Sequence, residues 1–256
     1  MIISASRRTD IPAYFGEHFY SNLKKGEFKV VNPFNNKTKI INFKKSDIDG
    51  IVFWTKNPLP FFNTIEKIKN DGFRFYFQYT LNNYPFNIEP LKFSLNERII
   101  HLNLLSELIF PEKIFWRYDP IILNKSFNIN FHIESFEKIL EKIYNSIDRI
   151  VISFLTIYRK IKKNFNDIIE NIDYQRELLI KLSEISKRYN KKIYICCYEY
   201  DLKETGILHS KCIDAGYFGI TGQKHSGQRD LCNCDRSIDI GFYRTCKTGC
   251  LYCYAN

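Results

Sequence analysis

The sequence predicts an α/β fold, a (β/α)6 partial TIM-type barrel with a Cys-rich C-terminal tail. Three observations lead there. Short β-rich runs alternate with amphipathic helical runs six times, the strand-end residues are unusually polar, and all eight cysteines fall after residue 195. Strand–helix alternation implies parallel strands joined by right-handed crossovers. Residues 1–200 are expected to form the partial barrel. Residues 201–256 are expected to pack on its mouth within the same domain.

The expected strands are residues 2–6, 51–55, 73–80, 114–118, 149–155 and 192–198, each rich in β-branched or aromatic side chains. Segment 27–43, with Asn35-Asn36 at its centre, reads as a hairpin inserted before the second unit. A helical run starting near Phe61 is closed by Gly72 as a C-cap. Ser94-x-x-Glu97 is a capping-box signature for a later helix. Leu178, Leu179, Leu182 and Ile185 share one helical face. In the 73–80 strand Tyr76, Gln78 and Thr80 oppose Phe75, Phe77 and Tyr79. In the 192–198 strand Tyr194, Cys196 and Tyr198 oppose Ile193, Ile195 and Cys197, which makes Cys197 a buried filler.

The chain has 256 residues, 45% hydrophobic, enough for one large core. Its 17 Tyr and 22 Phe beside one Met, with abundant Lys, Asn and Ile, look first like AT-rich codon usage. No apolar run approaches the roughly 18 residues of a membrane span, and no signal-peptide pattern is seen, so a cytoplasmic, membrane-free protein is expected. In a reducing compartment eight clustered cysteines bind metal more often than they form disulfides. The formal charge of +10 makes nucleic acid a candidate partner, although a Lys-rich solvated surface explains it as well.

Functional residues of such a sheet gather beyond the carboxyl ends of its strands. There the sequence places Ser6-Arg7-Arg8-Thr9-Asp10, Thr55-Lys56-Asn57-Pro58, Gln78-Tyr79-Thr80 and Arg117-Tyr118-Asp119-Pro120, with Ser153 in the fifth strand. Arg7, Arg8, Lys56 and Arg117 would converge on an anionic or carboxylate-bearing ligand. Gln78, Thr80 and Ser153 join them as candidate cofactor contacts. No Walker motif, Rossmann fingerprint or nucleophile elbow is found. The five histidines form no metal spacing.

Cys246-Lys247-Thr248-Gly249-Cys250-Leu251-Tyr252-Cys253 carries the strongest signal. Spacings of three and two residues let a tight loop, curled at Gly249, turn three thiolates toward one [4Fe–4S] cluster. That leaves one iron open to a substrate's amino and carboxylate groups. The spacing Cys-x-x-x-Cys-x-aromatic-Cys resembles the radical-SAM superfamily motif. The resemblance implies cluster ligation by the three cysteines, cleavage of S-adenosylmethionine (SAM) and Tyr252 near its adenine. The departure is position, because the motif usually follows the first strand and here it ends the chain. Three further stretches, Ser4-Ala5-Ser6-Arg7-Arg8-Thr9-Asp10-Ile11-Pro12, Phe53-Trp54-Thr55-Lys56-Asn57-Pro58 and Cys253-Tyr254-Ala255-Asn256, resemble a bacterial domain-of-unknown-function family. That family carries such cysteines at its C-terminus and is loosely related to spore photoproduct lyase.

Cys196, Cys212, Cys232 and Cys234 supply four thiolates for a second, closed site. It reads as an auxiliary [4Fe–4S] cluster, with structural zinc as the alternative. Loaded with two clusters, the protein would carry roughly +7. The expected function is a radical-SAM enzyme fed by an electron donor such as flavodoxin or ferredoxin, its substrate unidentified. The rival is a non-catalytic iron–sulfur or zinc protein that binds nucleic acid.

Overall fold

A computed structural model describes residues 1–31, 37–225 and 228–255. In chain order the elements are β1 (Ile2–Ala5), α1 (Ile11–Tyr14), α2 (Gly16–Lys25), β2 (Glu27–Val31), β3 (Thr38–Asn42), β4 (Gly50–Thr55), α3 (Phe62–Asn70) and β5 (Phe75–Thr80). They continue with α4 (Leu95–Ile109), β6 (Ile114–Ile121), α5 (Ile129–Ile143), β7 (Arg149–Phe154), α6 (Ile172–Arg188), β8 (Ile193–Ile195), β9 (Leu208–His209) and β10 (Ile238–Asp239). Eight strands form one sheet in the order β10-β1-β4-β5-β6-β7-β8-β9, with every pairing parallel.

All six expected strands are present in their expected order, and β2 pairs antiparallel with β3 as the inserted hairpin. Its proposed centre, Asn35-Asn36, lies outside the described residues. Two differences concern the C-terminal part. The 192–198 strand pairs only over Ile193–Ile195. The tail does more than pack on the sheet: it adds β9 at one edge and β10 at the other, beside β1. Two-residue strands carry no period-2 pattern, so hydrophobic alternation could not announce them.

Local chemistry explains the helix ends. Ser94 and Glu97 close the capping box on α4 reciprocally. Gly72, at φ +72°, follows the Asp71 cap of α3 in the left-handed conformation that glycine tolerates best. Asn128 and Asn171 cap α5 and α6 by accepting from the N–H groups of Phe131 and Tyr174.

The sheet has two unlike faces. One packs Ile3, Phe53, Phe77, Trp116, Ile152 and Ile195 under the helices, together with Leu178, Leu179, Leu182 and Ile185 of α6. The other presents Ile2, Val52, Tyr76, Phe115 and Val151, and it is covered by the tail through Cys212, Ile213, Ala215 and Phe218. Phe218 lies so close to β4 that a Cβ on Gly50 would sit 2.2 Å from its ring. Burying that ring fully is worth about 1.5–3 kcal/mol and holds the tail against the inner face.

Candidate active site

A cavity of about 660 Å³ opens at the carboxyl ends of the strands. Seven of the eight cysteines line it: Cys246, Cys250 and Cys253 of the terminal loop, and Cys196, Cys212, Cys232 and Cys234 of the second set. Arg7, Arg8, Lys56, Thr80, Arg117, Ser153 and Tyr252 line it too. Gln78 alone of the expected contacts lies beneath, fully buried. Its Nε2 donates to the Cys212 carbonyl at 2.8 Å, and its Oε1 accepts from Arg117 Nη1 at 3.3 Å.

The terminal loop turns at Gly249, φ +74°. The Cys253 N–H bonds the Cys250 carbonyl at 3.0 Å, and the Leu251 N–H bonds the Ile88 carbonyl at 3.0 Å. The Ala255 N–H donates to Cys253 Sγ at 3.4 Å, and Thr248 Oγ1 lies 3.6 Å from Cys246 Sγ. The Ala255 N–H is a donor of the kind that stabilises a thiolate, whereas Thr248 Oγ1 accepts from the Cys246 thiol. The three thiols are half-buried, and burial pushes Cys250 up to about 12 against the pull of Lys56.

Tyr252 is anchored by its hydroxyl, which donates to Glu89 Oε1. Glu89 is 2% exposed and also accepts from Lys56 Nζ and Asn82 Nδ2, each at 2.8 Å, while Arg98 Nη1 stands 3.7 Å from its other oxygen. Burial alone would raise this carboxyl, but Lys56 outweighs it and the group is held below the ordinary carboxylate range.

In the second set the thiols share hydrogen bonds. Those from Cys196 and Cys234, and then the Arg117 guanidinium, hold Cys212 well below the thiol range. Cys232 is lowered by hydrogen bonds from Cys196, Cys197 and Cys234. Cys196 is raised chiefly through Cys197, and Cys234 chiefly through Cys212. Arg117 Nη1 donates to Cys212 Sγ at 3.0 Å. The buried Nη2 of Arg7, a residue that feels Cys234 and Cys212, has no hydrogen-bond partner among the described residues.

Cys197 departs from its expected role. The strand has ended at Ile195, and Cys197 takes φ +52°, so alternation is broken. Its thiol turns to the same side as Cys196, accepting from it at 3.6 Å, while Tyr198 joins the helix-side core. Cys197 is thus a half-buried fifth thiol beside the four and not a filler under the helices.

The four expected cations do not all reach the cavity free. Lys56 is spent on Glu89, and Arg117 pairs through Nε and Nη2 with Asp119, whose other oxygen accepts from Ser153 Oγ. Arg8 donates weakly to the Val31 and Gly241 carbonyls at 3.5 and 3.4 Å. Sequence reasoning missed Glu89, Arg98 and Asn82, which carry no motif. It quoted Asp119 without a role, although an acid two residues after a strand-end arginine is a readable signal.

Among the described residues, no group of three or more His, Cys, Asp and Glu side chains is arranged to hold a metal ion. A four-iron cluster spreads its terminal sulfurs wider than the roughly 3.8 Å that separates four thiolates around one zinc. The donor chemistry fits a thiolate-bound group: grouped thiols, an N–H aimed at sulfur, and an arginine donor without a partner.

No curated protein matches the chain. Among solved structures, one provisionally assigned as an alpha-L-fucosidase from Bacteroides thetaiotaomicron matches with 9% identity and a TM-score of 0.31, over 69% of this chain and 78% of that one. A likeness that slight carries no functional argument. The family described as "Domain of unknown function (DUF1848)" matches residues 2–255, and the chain belongs to that family.

Proposed function

We propose that the chain is a radical-SAM enzyme. One observation carries the reading: two separate cysteine sets line a single cavity at the carboxyl ends of parallel strands. On this reading the sheet is the six-stranded partial barrel of that class, extended at its edges by β9 and β10. Cys246, Cys250 and Cys253 hold a [4Fe–4S] cluster. When bound, such a cluster supplies the electron that splits SAM into methionine and a hydrogen-abstracting 5′-deoxyadenosyl radical. Cys196, Cys212, Cys232 and Cys234 hold a second group, an auxiliary [4Fe–4S] cluster or zinc, which iron and zinc analysis separates.

The protein's own residues supply placement and charge. Glu89 fixes the Tyr252 hydroxyl, so the ring stands as a fixed wall for an adenine. Arg7 offers an unspent donor to a carboxylate, and Arg117 offsets thiolate charge at Cys212. Trp54, under Arg7 and Arg117 at 5.3 and 5.0 Å, gives both guanidinium groups an aromatic floor. A cytoplasmic flavodoxin or ferredoxin is the expected reductant.

The test is direct. Anaerobically reconstituted, chemically reduced protein should form 5′-deoxyadenosine from SAM, and Cys246→Ala, Cys250→Ala and Cys253→Ala should each abolish it. Three ligands leave no redundancy. Undiminished product from any one of them overturns the assignment and leaves the non-catalytic metal protein as the better reading.

A further inference from the structure

The mouth of the cavity carries groups that neither thiol set uses. Tyr158, Tyr243 and Tyr254 line it and remain 38, 41 and 38% exposed. The Tyr158 and Tyr254 rings lie 5.4 Å apart at 39°, and Tyr243 meets Tyr254 at 6.4 Å and 71°. Arg8 stands 5.0 Å over the Tyr243 ring. Grouped aromatic rings left open at the rim of a cavity mark a contact surface.

Cations follow at once. After Tyr158 the chain runs Arg159-Lys160-Ile161-Lys162-Lys163. Ile161, 2% exposed, anchors this stretch in a small core, and Asn164 Nδ2 donates to the Leu251 carbonyl of the cysteine loop at 3.2 Å. The four cations are exposed, and none is in an ion pair among the described residues. They follow Tyr158 in sequence on a turn and a short 3-10 helix, tied by one hydrogen bond to the loop where chemistry is proposed.

We propose that this rim binds single-stranded nucleic acid, and that the substrate is a nucleotide within such a strand. Aromatic faces stack on any base, and a group of exposed cations takes the phosphates. A free nucleotide has too few phosphates to engage four separate exposed cations. A duplex keeps its base faces stacked inside, out of reach of the tyrosines. The substrate assignment rests on the SAM-cleaving reading; the binding does not.

The experiment is fluorescence anisotropy of the anaerobically reconstituted full chain without SAM. The probes are labelled single strands of DNA and RNA of about 20 nucleotides, read from about 50 to 200 mM salt. Either single strand should bind at least about tenfold tighter than the matching duplex, with a log–log salt slope near −3 for four phosphate contacts. Mononucleotides should compete poorly. Tyr158→Ala and Tyr254→Ala should each weaken binding about five- to a hundredfold with the slope unchanged, and Tyr158→Phe should restore it. Lys162→Ala with Lys163→Ala should flatten the slope by about 1.4 while keeping the single-strand preference. Equal affinity for duplex or polyphosphate overturns the proposal. So does full affinity in either tyrosine-to-alanine variant, with folding verified by circular dichroism. 5′-Deoxyadenosine is assayed separately. Product without strand binding removes this proposal and keeps the enzyme; strand binding without product keeps the rim and removes the radical chemistry.

Discussion

Beside the terminal cysteine loop, Glu89 sits buried among Lys56, Arg98, Asn82 and Tyr252; beside the second thiol set, half-buried Arg7 and buried Arg117 stand close to Cys212, with Cys234 and Asp239 also near Arg7. In the first arrangement the carboxylate is matched by charge, with Lys56 Nζ 2.8 Å from Oε1 and Arg98 Nη1 3.7 Å from Oε2, although Oε2 itself accepts no hydrogen bond among the described residues. In the second, Arg7 Nη2 likewise has no hydrogen-bond partner, and Arg7 stands in no ion pair among the described residues. Unpaired buried charge costs several kcal/mol unless an anion meets it. Thiolates held on a metal would be that anion. One side of the site is therefore a preformed scaffold, and the other is a receptor for charge.

Breaking the scaffold should cost most. Glu89→Ala leaves Lys56 and Arg98 facing each other in the interior with no carboxylate. The expected loss is about 3–5 kcal/mol, or roughly 10 °C in Tm for a chain of this size. Thermal melts read it without any metal or substrate. A change under about 1 °C would mean that the network does not support the loop.

The two thiol sets should differ next. Cys234 lies 1% exposed where the tail crosses the inner face, while Cys253 is half-buried on the terminal loop. In metal-loaded protein, Cys234→Ser should lower Tm by several degrees, about 1–3 kcal/mol. Cys253→Ala should stay within about 0.5 kcal/mol. Equal shifts would erase the distinction between a site that staples the fold and one that only serves the cavity.

The same contrast explains what the sequence could disclose. Cys246, Cys250 and Cys253 are neighbours in the chain, so their grouping is written in their spacing. Cys196, Cys212, Cys232 and Cys234 are far apart in the chain, and their grouping was legible only from the Cys232-x-Cys234 pair and from the place of all four at the end of the sixth strand or in the tail after it. The inner and outer rows of β5 were legible too, because six paired residues enforce the alternation. At β8 pairing stops after Ile195, and the positive φ of Cys197 then decides which way its thiol points. A backbone angle at one residue leaves no periodic trace. Glu89 was unreadable for another reason: its meaning lies in Lys56, Arg98 and Tyr252, which come from three other parts of the chain.

The smallest effect compares two buried carboxyls on the scaffold side. Asp10 accepts from the N–H groups of Ala13 and Lys56 at 3.0 and 2.8 Å, but among the described residues no ammonium or guanidinium bonds it. Burial therefore raises it from 3.8 to about 6, whereas Lys56 keeps Glu89 below its ordinary 4.5. Between pH 3.8 and about 6 the native state holds a proton on Asp10 that the unfolded chain has released. Stability contributed there is full at the acid end and lost as pH rises through that window. Glu89 has the opposite sign: its contribution is present above about 4.5 and lost as pH falls below it. Asp10→Asn should remove a pH-dependent change in unfolding free energy between pH 4 and 6 on the order of 1 kcal/mol, read as a flatter dependence of Tm on pH there. Its overall Tm is a poorer readout, because asparagine satisfies only one of the two N–H groups. Glu89→Gln should leave that window alone and change the slope only below pH 4.5. If both variants altered the same window, the two carboxyls would be titrating as one unit, and the scaffold would extend from Glu89 through Lys56 to Asp10.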